Sequence, residues 1–261
     1  MKIAYQKIQK TILDRYQHNA RSLPRRQTTD PYQIMVSEIM LQQTQVDRVI
    51  PKYLHFLELF PTLQSLADTD KTTLLTARSG LGYNSRALNL QKAAQVIVHE
   101  YKYIFPQTKD ELIKLPGIGP YTAGAICAFA YNQDVTVIDI NIKRVLIHLL
   151  QLDPDISPKD LEKIVEDILL KWQSRTRYNA LMDYGALVLT SKKTGIKSPT
   201  QSKFQGSARQ VRGNLIKHLT KFGSINVDEA KAKFYHDEFD KIIDKMMQQG
   251  IIHITNNTIA L

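Results

Sequence analysis

The sequence is very poor in cysteine, and this scarcity excludes several classes of protein. Cys127 is the only cysteine in 261 residues. A disulfide framework, a cysteine-rich zinc site and a four-cysteine iron–sulfur cluster are therefore all excluded. Cys127 lies in the apolar run Ala125 to Ala130, so we expect it to be a small buried hydrophobic side chain.

Long hydrophobic runs, glycine and proline are also scarce. No stretch approaches the roughly 20 apolar residues that a membrane helix needs, and the first 17 residues scatter charges through their apolar positions, unlike a signal peptide. With 11 Gly and 10 Pro, 43% hydrophobic residues and 23% charged residues, the composition fits neither a disordered nor a fibrous chain. We therefore expect a folded cytoplasmic protein with no membrane partner.

Acidic residues are outnumbered. The chain has 35 Lys and Arg against 25 Asp and Glu, a formal net charge of +10. Such an excess favours a polyanionic partner, either nucleic acid or an anionic membrane surface. Charge that serves only solubility explains the excess equally well, so the alternatives stay open at this point.

Apolar residues recur at helical spacing through most of the first two hundred residues, and alternating strand-like runs are nearly absent there. Two helix starts are visible as a capping residue followed by proline: Asp30-Pro31 and Ser157-Pro158. The pattern predicts an all-α domain over residues 1–195.

The composition turns polar between Thr190 and Gly206, and we place a linker at 196–206. Beyond it, the pattern predicts helices over Gln210 to Phe222 and Val227 to Gln249. A two-stranded hairpin with an Asn256-Asn257 turn then follows. Residues 207–261 therefore read as a small winged-helix-like module.

Three features of the sequence indicate binding or catalytic residues. The segment Leu115-Pro116-Gly117-Ile118-Gly119 has two glycines that can adopt positive φ in a tight hairpin, whose backbone N–H groups suit one phosphate group. An ordinary interhelical turn explains the segment equally well.

Glu38 and Asp139 are the other two features. Mostly apolar helical neighbours surround Glu38, and desolvation raises a carboxyl pKa, which suits a general acid. Asp139 precedes a helical run, and helix N–H groups should keep it ionised. An ion pair for Glu38 and a simple helix cap for Asp139 are the plainer interpretations.

Several segments together resemble the helix-hairpin-helix DNA glycosylases, especially the MutY-type adenine glycosylases, over roughly residues 1 to 195. They are Leu23-Pro24, Arg26, Asp30-Pro31-Tyr32, Val36-Ser37-Glu38, Met40 to Val46, Gly80 to Tyr83, Leu115 to Gly119, Asp139 with Asn141, and Met182 to Ala186. The resemblance implies an all-α, two-lobed fold that flips a mispaired adenine, usually opposite 8-oxoguanine, out of duplex DNA and hydrolyses its N-glycosidic bond.

The resemblance also implies roles for individual residues. Glu38 is expected to protonate the adenine ring and Asp139 to stabilise the oxocarbenium-like sugar, with Tyr121 and Asn141 supporting them. DNA contacts are expected from Arg26, Gln42, Gln43, Tyr83, Gly117, Gly119, Arg209 and Arg212, among which Gln43 and Tyr83 wedge into the base stack. The carbonyls of Ile113, Leu115 and Ile118 match positions that hold a structural Na⁺ or K⁺ in relatives.

The chain departs from the family pattern at several points. It lacks the four cysteines that hold an iron–sulfur cluster in most members of the family. Arg25 stands where tryptophan is usual, and Asn84 follows Tyr83 where a second tyrosine is usual. The segment after Gly206 is too short for the Nudix-like domain that longer members use to recognise 8-oxoguanine. Tyr121 stands where strand-cutting relatives carry a lysine.

The sequence therefore predicts a monofunctional adenine glycosylase of base excision repair that requires no cofactor. We expect a monomer that acts on duplex DNA, associated with the nucleoid in a prokaryote. Two alternatives remain: a thymine or uracil mismatch glycosylase on the same fold, and a non-catalytic DNA-binding protein.

Overall fold

The computed structural model describes residues 2–77, 84–168, 173–196 and 203–261, which are almost entirely helical. The elements run α1 Lys2–Asn19, a 3₁₀ turn Pro24–Arg26, α2 Pro31–Leu41, α3 Val46–Leu59, α4 Leu63–Asp68, α5 Lys71–Ala77, α6 Asn84–His99, α7 Lys109–Ile113, α8 Pro120–Ala130, α9 Ile140–Leu150, α10 Pro158–Ile168, α11 Ser174–Leu187, α12 Ser191–Thr194, α13 Ala208–Phe222, β1 Ser224–Asn226, α14 Val227–Lys233, α15 Phe239–Gln248, β2 His253–Thr255 and β3 Thr258–Ala260. No helix of the described part is long and apolar enough to cross a membrane.

The two predicted helix starts are confirmed. Asp30 Oδ1 accepts a hydrogen bond from the Tyr32 backbone N–H at 2.8 Å, at the first turn of α2. Ser157 Oγ accepts one from the Asp160 N–H at 3.1 Å and donates to the Asp160 carboxylate at 2.7 Å. Both caps satisfy N–H groups that a helix cannot pair internally.

The chain folds into two compact units. The first comprises Met1–Glu38, Pro106–Lys114 and Ile118–Pro199, and the second comprises Ile39–Phe105, Leu115–Gly117 and Thr200–Leu261. The change of unit after residue 199 falls inside the predicted linker 196–206, of which residues 197–202 lie outside the described part. The predicted catalytic domain 1–195 contains segments of both units, and its boundaries stay a prediction.

The first unit is built around α11, which packs against α9, α1 and α8. Tyr178 of α11 is fully buried. Its hydroxyl donates to the Val135 carbonyl at 2.7 Å and accepts from the Val137 N–H at 3.1 Å. Cys127 on α8 is fully buried, which confirms the prediction, and burial raises the pKa of its thiol.

The second unit includes the C-terminal module, whose helix α13 packs on α5. The module contains a three-stranded antiparallel sheet in the order β1-β3-β2, with Ile259 opposite both Ile225 and Ile254. The predicted hairpin is confirmed as β2 and β3, and the strand Ser224–Asn226, which was not predicted, pairs with β3 as a third strand. A three-residue strand leaves too short an alternating pattern to be recognised.

The predicted helix over Val227 to Gln249 is two helices, α14 and α15. The break follows Phe234, and within it the Glu238 N–H donates to His236 Nδ1 at 3.0 Å. The Asn256-Asn257 turn is confirmed, with φ of 49° and 58°, values that suit a tight hairpin turn between antiparallel strands.

Candidate active site

Glu38 lies on α2 inside the first unit, with a side chain only 3% exposed. Ile34 and Met35, one turn earlier, are also buried, as the helical spacing predicted. The site is not wholly apolar, however. Arg25 Nη1 donates to Glu38 Oε1 at 2.9 Å, an ion pair that links the 3₁₀ turn to α2.

Asp139 is the N-cap of α9. Its Oδ1 accepts from the Ile142 N–H at 2.7 Å, and its Oδ2 accepts from Asn141 Nδ2 at 2.9 Å. The Asn141 amide oxygen in turn accepts from Arg144 Nη1 at 3.1 Å, and Arg144 also donates to the Gly185 carbonyl. Asn141 therefore orients the Asp139 carboxyl and is itself held by Arg144, which in turn contacts α11.

Close helix packing holds this cap in position. A Cβ on Gly185 of α11 would stand 2.5 Å from the Asn141 carbonyl oxygen, well inside van der Waals contact. Only glycine allows α11 to approach the first turn of α9 this closely. This gives a physical reason for the glycine in the Met182 to Ala186 segment.

The structure brings Glu38, Asp139 and Tyr121 into one electrostatic cluster. Burial is the largest influence and raises the pKa of Glu38; the Asp139 charge raises it further, while Arg25 and a hydrogen bond from Tyr121 lower it. Burial likewise raises the pKa of Tyr121 well above its usual value. Tyr121 is therefore neutral, and its hydroxyl donates to the Glu38 carboxyl.

The expectation for Asp139 needs correction. Its hydrogen bonds to the Ile142 N–H and the Asn141 amide lower the pKa, as the helix position suggested, but burial outweighs them and the pKa of Asp139 is raised. Two carboxyls that are both buried and close to each other disfavour a state in which both are ionised. The cluster can thus hold a proton on one carboxyl beside a charge on the other.

Arg26 pairs with Asp183 of α11. Its Nη1 and Nη2 donate to the two carboxylate oxygens of Asp183 at 2.8 and 2.7 Å, and its side chain is 7% exposed. Arg21 also pairs with Asp183, through Nε at 2.5 Å and its backbone N–H. This network ties the segment before α2 to α11 and pairs the Arg26 guanidinium with a carboxylate; DNA binding by Arg26 stays a prediction.

Only one of the two glycines in the hairpin adopts positive φ. Gly117 has φ +77°, and a Cβ there would meet Asn89 Cβ at 2.7 Å. Gly119 has φ −89° and begins α8 as its N-cap, so the expectation of positive φ at Gly119 was wrong. Leu115 and Ile118 have buried side chains and Ile113 is exposed; cation binding by their carbonyls stays a prediction.

The loop after α2 presents Gln43 with φ 59° and an exposed side chain. Arg86 on α6 donates to the Gln42 carbonyl at 2.6 Å and secures the loop. A left-handed glutamine is uncommon and marks a position worth explaining. Tyr83, the second predicted wedge, lies outside the described residues.

The two C-terminal arginines both lie on α13, in the second unit. Arg209 is partly exposed. Arg212 is half-buried, donates to Gln249, and burial lowers its pKa. The role of each arginine in DNA binding stays a prediction. Among the described residues, no group of three His, Cys, Asp or Glu side chains could hold a metal ion.

With the geometry described, comparison with known proteins defines the class. Residues 36–171, just over half of the chain, match the model of the HhH-GPD superfamily of base excision DNA repair proteins. The chain belongs to this superfamily, which confirms the predicted family and the mainly helical fold.

Its curated relatives include adenine DNA glycosylases. That of Buchnera aphidicola subsp. Baizongia pistaciae is 43% identical over 183 residues, 68% of this chain and 52% of the relative. That of Mycolicibacterium smegmatis is 35% identical over 227 residues, 78% of each chain. The human one is 33% identical over 233 residues, 84% of this chain and 43% of the relative. The chain thus spans about half the length of the first of these relatives.

Solved structures give the same fold. A thermostable thymine-DNA glycosylase aligns with TM-score 0.67 and 26% identity, covering 73% of this chain and 90% of that one. A non-covalent endonuclease III–DNA complex aligns with TM-score 0.63 and 21% identity, covering 75% and 90%. These matches confirm the fold class predicted from the helical pattern and the hairpin.

The sequence favoured an ion pair for Glu38 but did not identify its partner, and it missed the contact of Arg144. The Arg25–Glu38 pair joins residues 13 positions apart on different elements, and no periodic pattern signals such a contact. Arg144 lies one turn after Asn141, so its contact with the Asn141 amide could have been anticipated from helical spacing.

Proposed function

We propose that this protein is a monofunctional adenine DNA glycosylase of base excision repair. It flips out adenine mispaired with 8-oxoguanine or guanine, hydrolyses the N-glycosidic bond and leaves an abasic site. The observation that carries the proposal is the buried Glu38 carboxyl with its raised pKa beside Asp139, in a chain whose relatives are adenine DNA glycosylases.

Glu38 supplies the proton that makes adenine a leaving group. The protonated carboxyl gives its proton to a ring nitrogen of the flipped base, and the C1′–N9 bond then breaks with both electrons going to adenine. A raised pKa lets the acid keep its proton to higher pH than an ordinary glutamate, which suits this donor. Glu38 is left as a carboxylate.

Asp139 stabilises the sugar, which carries the positive charge after bond cleavage. Its carboxylate is held in place by Ile142 and Asn141, so it need not reorganise as the charge develops. Water then adds to C1′ and gives up a proton to Glu38, which restores the acid. Adenine and an abasic sugar are the products.

Tyr121 argues for base removal without strand cleavage. Strand cleavage by relatives proceeds through an amine that forms a Schiff base with the sugar. The groups that act electrostatically on Glu38 are Arg25, Asp139 and Tyr121, and none is an amine nucleophile. The proposed reaction therefore ends at the abasic site.

Duplex DNA is the proposed partner, since a stacked base cannot reach a buried acid unless it is flipped. Gln43 at the exposed loop after α2 and Gly117 in the hairpin support this, the first as a wedge beside the opposite base and the second as a close approach to phosphate. The protein acts as a monomer. It has no iron–sulfur cluster, because a single cysteine cannot hold one.

A second candidate is removal of thymine or uracil from mismatches, which the likeness to a thymine-DNA glycosylase favours. Glu38 argues against it, since a pyrimidine does not need ring protonation in the same way. A non-catalytic DNA-binding role has no need for the Glu38, Asp139 and Tyr121 cluster.

Single-turnover reactions on four duplexes test the proposal: A opposite 8-oxoguanine, A opposite G, T opposite G and U opposite G, each read before and after alkali. We expect product on the two adenine duplexes only, and only after alkali. Product on T or U moves the activity to pyrimidines, product without alkali contradicts the monofunctional reaction, and tight binding without product supports the non-catalytic alternative.

A further inference from the structure

Arg25 is the charged residue that touches the candidate acid. It lies in the 3₁₀ turn Pro24–Arg26 just before α2, with a side chain 13% exposed, and its Nη1 donates to Glu38 Oε1 at 2.9 Å. Both partners of this ion pair are thus largely removed from water. Opposite charges attract each other more strongly in such a low-dielectric interior than in water.

The rest of the guanidinium is packed rather than paired. Nη2 lies 3.9 Å from Met182 Sδ, and the guanidinium carbon stands 5.6 Å from the centre of the Phe129 ring. Nε has no hydrogen-bond partner among the residues that the structure describes. Glu38 is therefore the one carboxyl of the described chain in ion-pair contact with Arg25.

The neighbouring arginine shows what a purely structural pair looks like. Arg26 makes two hydrogen bonds to Asp183, which also receives two from Arg21. Arg25 instead offers a single hydrogen bond to a carboxyl that also contacts Tyr121 and feels the Asp139 charge. A single hydrogen bond from Arg25 orients the Glu38 side chain and leaves its carboxyl less completely paired with arginine than that of Asp183.

Three groups from different elements act on the Glu38 proton. Burial and the Asp139 charge, at the start of α9, favour the protonated form. Arg25 and the Tyr121 hydroxyl, on α8, favour the ionised form. Of the two that oppose protonation, Arg25 is the stronger and the only cation.

We propose that Arg25 is a positioning residue that holds the Glu38 carboxyl by this single ion pair and sets the upper pH limit at which the acid keeps the proton for excision. The proposal rests on the proposed function, because the proton is the one given to adenine. Nothing in this role requires Arg25 to touch the base.

The sign of the effect follows from the charge. Removal of the positive charge makes Glu38 hold its proton more tightly, so the excision rate persists to higher pH before it falls. A substitution that keeps the charge leaves the fall near its original pH. A residue that only fills space lowers the rate by one factor at every pH.

The test compares single-turnover excision of A opposite 8-oxoguanine across pH for the wild type, Arg25→Met, Arg25→Lys and Arg26→Gln. At the alkaline pH where the wild-type rate has fallen to about one tenth of its plateau, we expect Arg25→Met to keep most of its own plateau rate. We expect Arg25→Lys to follow the wild-type profile. Arg26→Gln, the matched neighbour, should leave the midpoint of the profile unmoved.

An Arg25→Met profile parallel to the wild type, or an Arg25→Lys profile displaced as far as that of Arg25→Met, overturns the proposal. A titration of the Glu38 carboxyl by ¹³C NMR in wild type and Arg25→Gln, a second variant without the charge, covers the case in which Arg25→Met does not fold: an unmoved Glu38 titration in Arg25→Gln also contradicts the proposal. The NMR titration does not depend on activity. If the wild type excises nothing, the proposed function is wrong, and the effect of Arg25→Met on the Glu38 titration still tests the role of Arg25. An unmoved Glu38 titration in folded Arg25→Met contradicts the role of Arg25.

Discussion

Glu38 and Asp183 are two buried carboxyls in the same unit, each paired with arginine, and their pKa values move in opposite directions. Glu38 receives one hydrogen bond from Arg25, burial dominates, and its pKa is raised. Burial also acts on Asp183, but hydrogen bonds from Arg26 and Arg21 outweigh it, and the pKa of Asp183 is lowered. Asp183 receives more hydrogen bonds from arginine and is less deeply buried than Glu38, and both differences lower its pKa relative to that of Glu38.

This difference separates chemistry from support. A carboxyl that receives several hydrogen bonds from cations stays ionised, and its lowered pKa means that its ionised form favours the folded state. A carboxyl that is incompletely paired retains affinity for a proton and can donate it. The first unit therefore uses the same residue types, acid and arginine, for two purposes.

Glu38→Gln gives the largest expected effect, because it removes the proton donor while preserving size and hydrogen bonding. We expect the single-turnover rate on A opposite 8-oxoguanine to fall by roughly 10² to 10⁴-fold, with duplex affinity retained. Glu58→Gln, at an exposed glutamate of α3, is the control and should excise normally. An active Glu38→Gln variant removes Glu38 from the chemistry.

Asp183→Asn tests the supporting carboxyl. It leaves Arg21 and Arg26 without their shared partner, and we expect the free energy of unfolding to drop by about 3 to 5 kcal/mol in chemical denaturation. Asp240→Asn, which breaks an exposed pair with Lys231, should cost less than about 1 kcal/mol. Equal losses from the two variants contradict the structural role assigned to Asp183.

The pH dependence of stability sharpens the same contrast. Because the pKa of Asp183 is lower in the folded state than in the unfolded chain, its contribution is fully present above the unfolded value, about 3.9, and is lost as pH falls through the lowered folded value. We expect the wild type to lose stability relative to Asp183→Asn across this acidic window. The prediction is contradicted if the difference in free energy of unfolding between the wild type and Asp183→Asn stays constant from pH 7 to the lower end of this window.

Gly185→Ala tests the close packing that carries the Asp139 cap. The new Cβ would stand 2.5 Å from the Asn141 carbonyl oxygen, and backbone must shift to relieve it, at a cost of about 1 to 3 kcal/mol. Gly213→Ala on α13 meets nothing within 4 Å and should be neutral or slightly stabilising. Thermal unfolding of both variants makes the comparison, and similar Tm values for both argue against close packing at Gly185.

Tyr121→Phe has the smallest expected effect. It removes one hydrogen bond to Glu38, worth about 1 kcal/mol, so we expect the excision rate to change by no more than about tenfold. The loss also favours protonated Glu38, so the alkaline limb of the pH profile should move upward. Tyr235→Phe, at an exposed tyrosine, serves as the control and should excise at the wild-type rate. We expect neither variant to cleave the strand.

Local features of this molecule were predictable from the sequence, because they depend on neighbours in the chain. The Asp30 and Ser157 caps and the Asn256-Asn257 turn are of this kind, as is burial of Cys127. The same reasoning failed for Gly119, because a helix N-cap and a left-handed turn both accept glycine and only the fold distinguishes them.

Contacts across elements were not predictable from local patterns. Asp139 follows Glu38 by about a hundred residues, and the resemblance to a family, not the spacing, implied that they meet. The Arg25 pair, the Asp183 network and strand β1 each depend on distant segments that pack together. The raised pKa of Asp139 was missed for the same reason, since burial comes from the whole unit.

The most direct test of this account is a titration of the two carboxyls by ¹³C NMR in protein labelled selectively at glutamate or aspartate, with Glu38→Gln used to assign the first signal. The account predicts that Glu38 titrates above the usual range for glutamate while Asp183 titrates below the usual range for aspartate. A Glu38 that titrates at or below the ordinary value near 4.3 would contradict the assignment of Glu38 as the acid that protonates adenine.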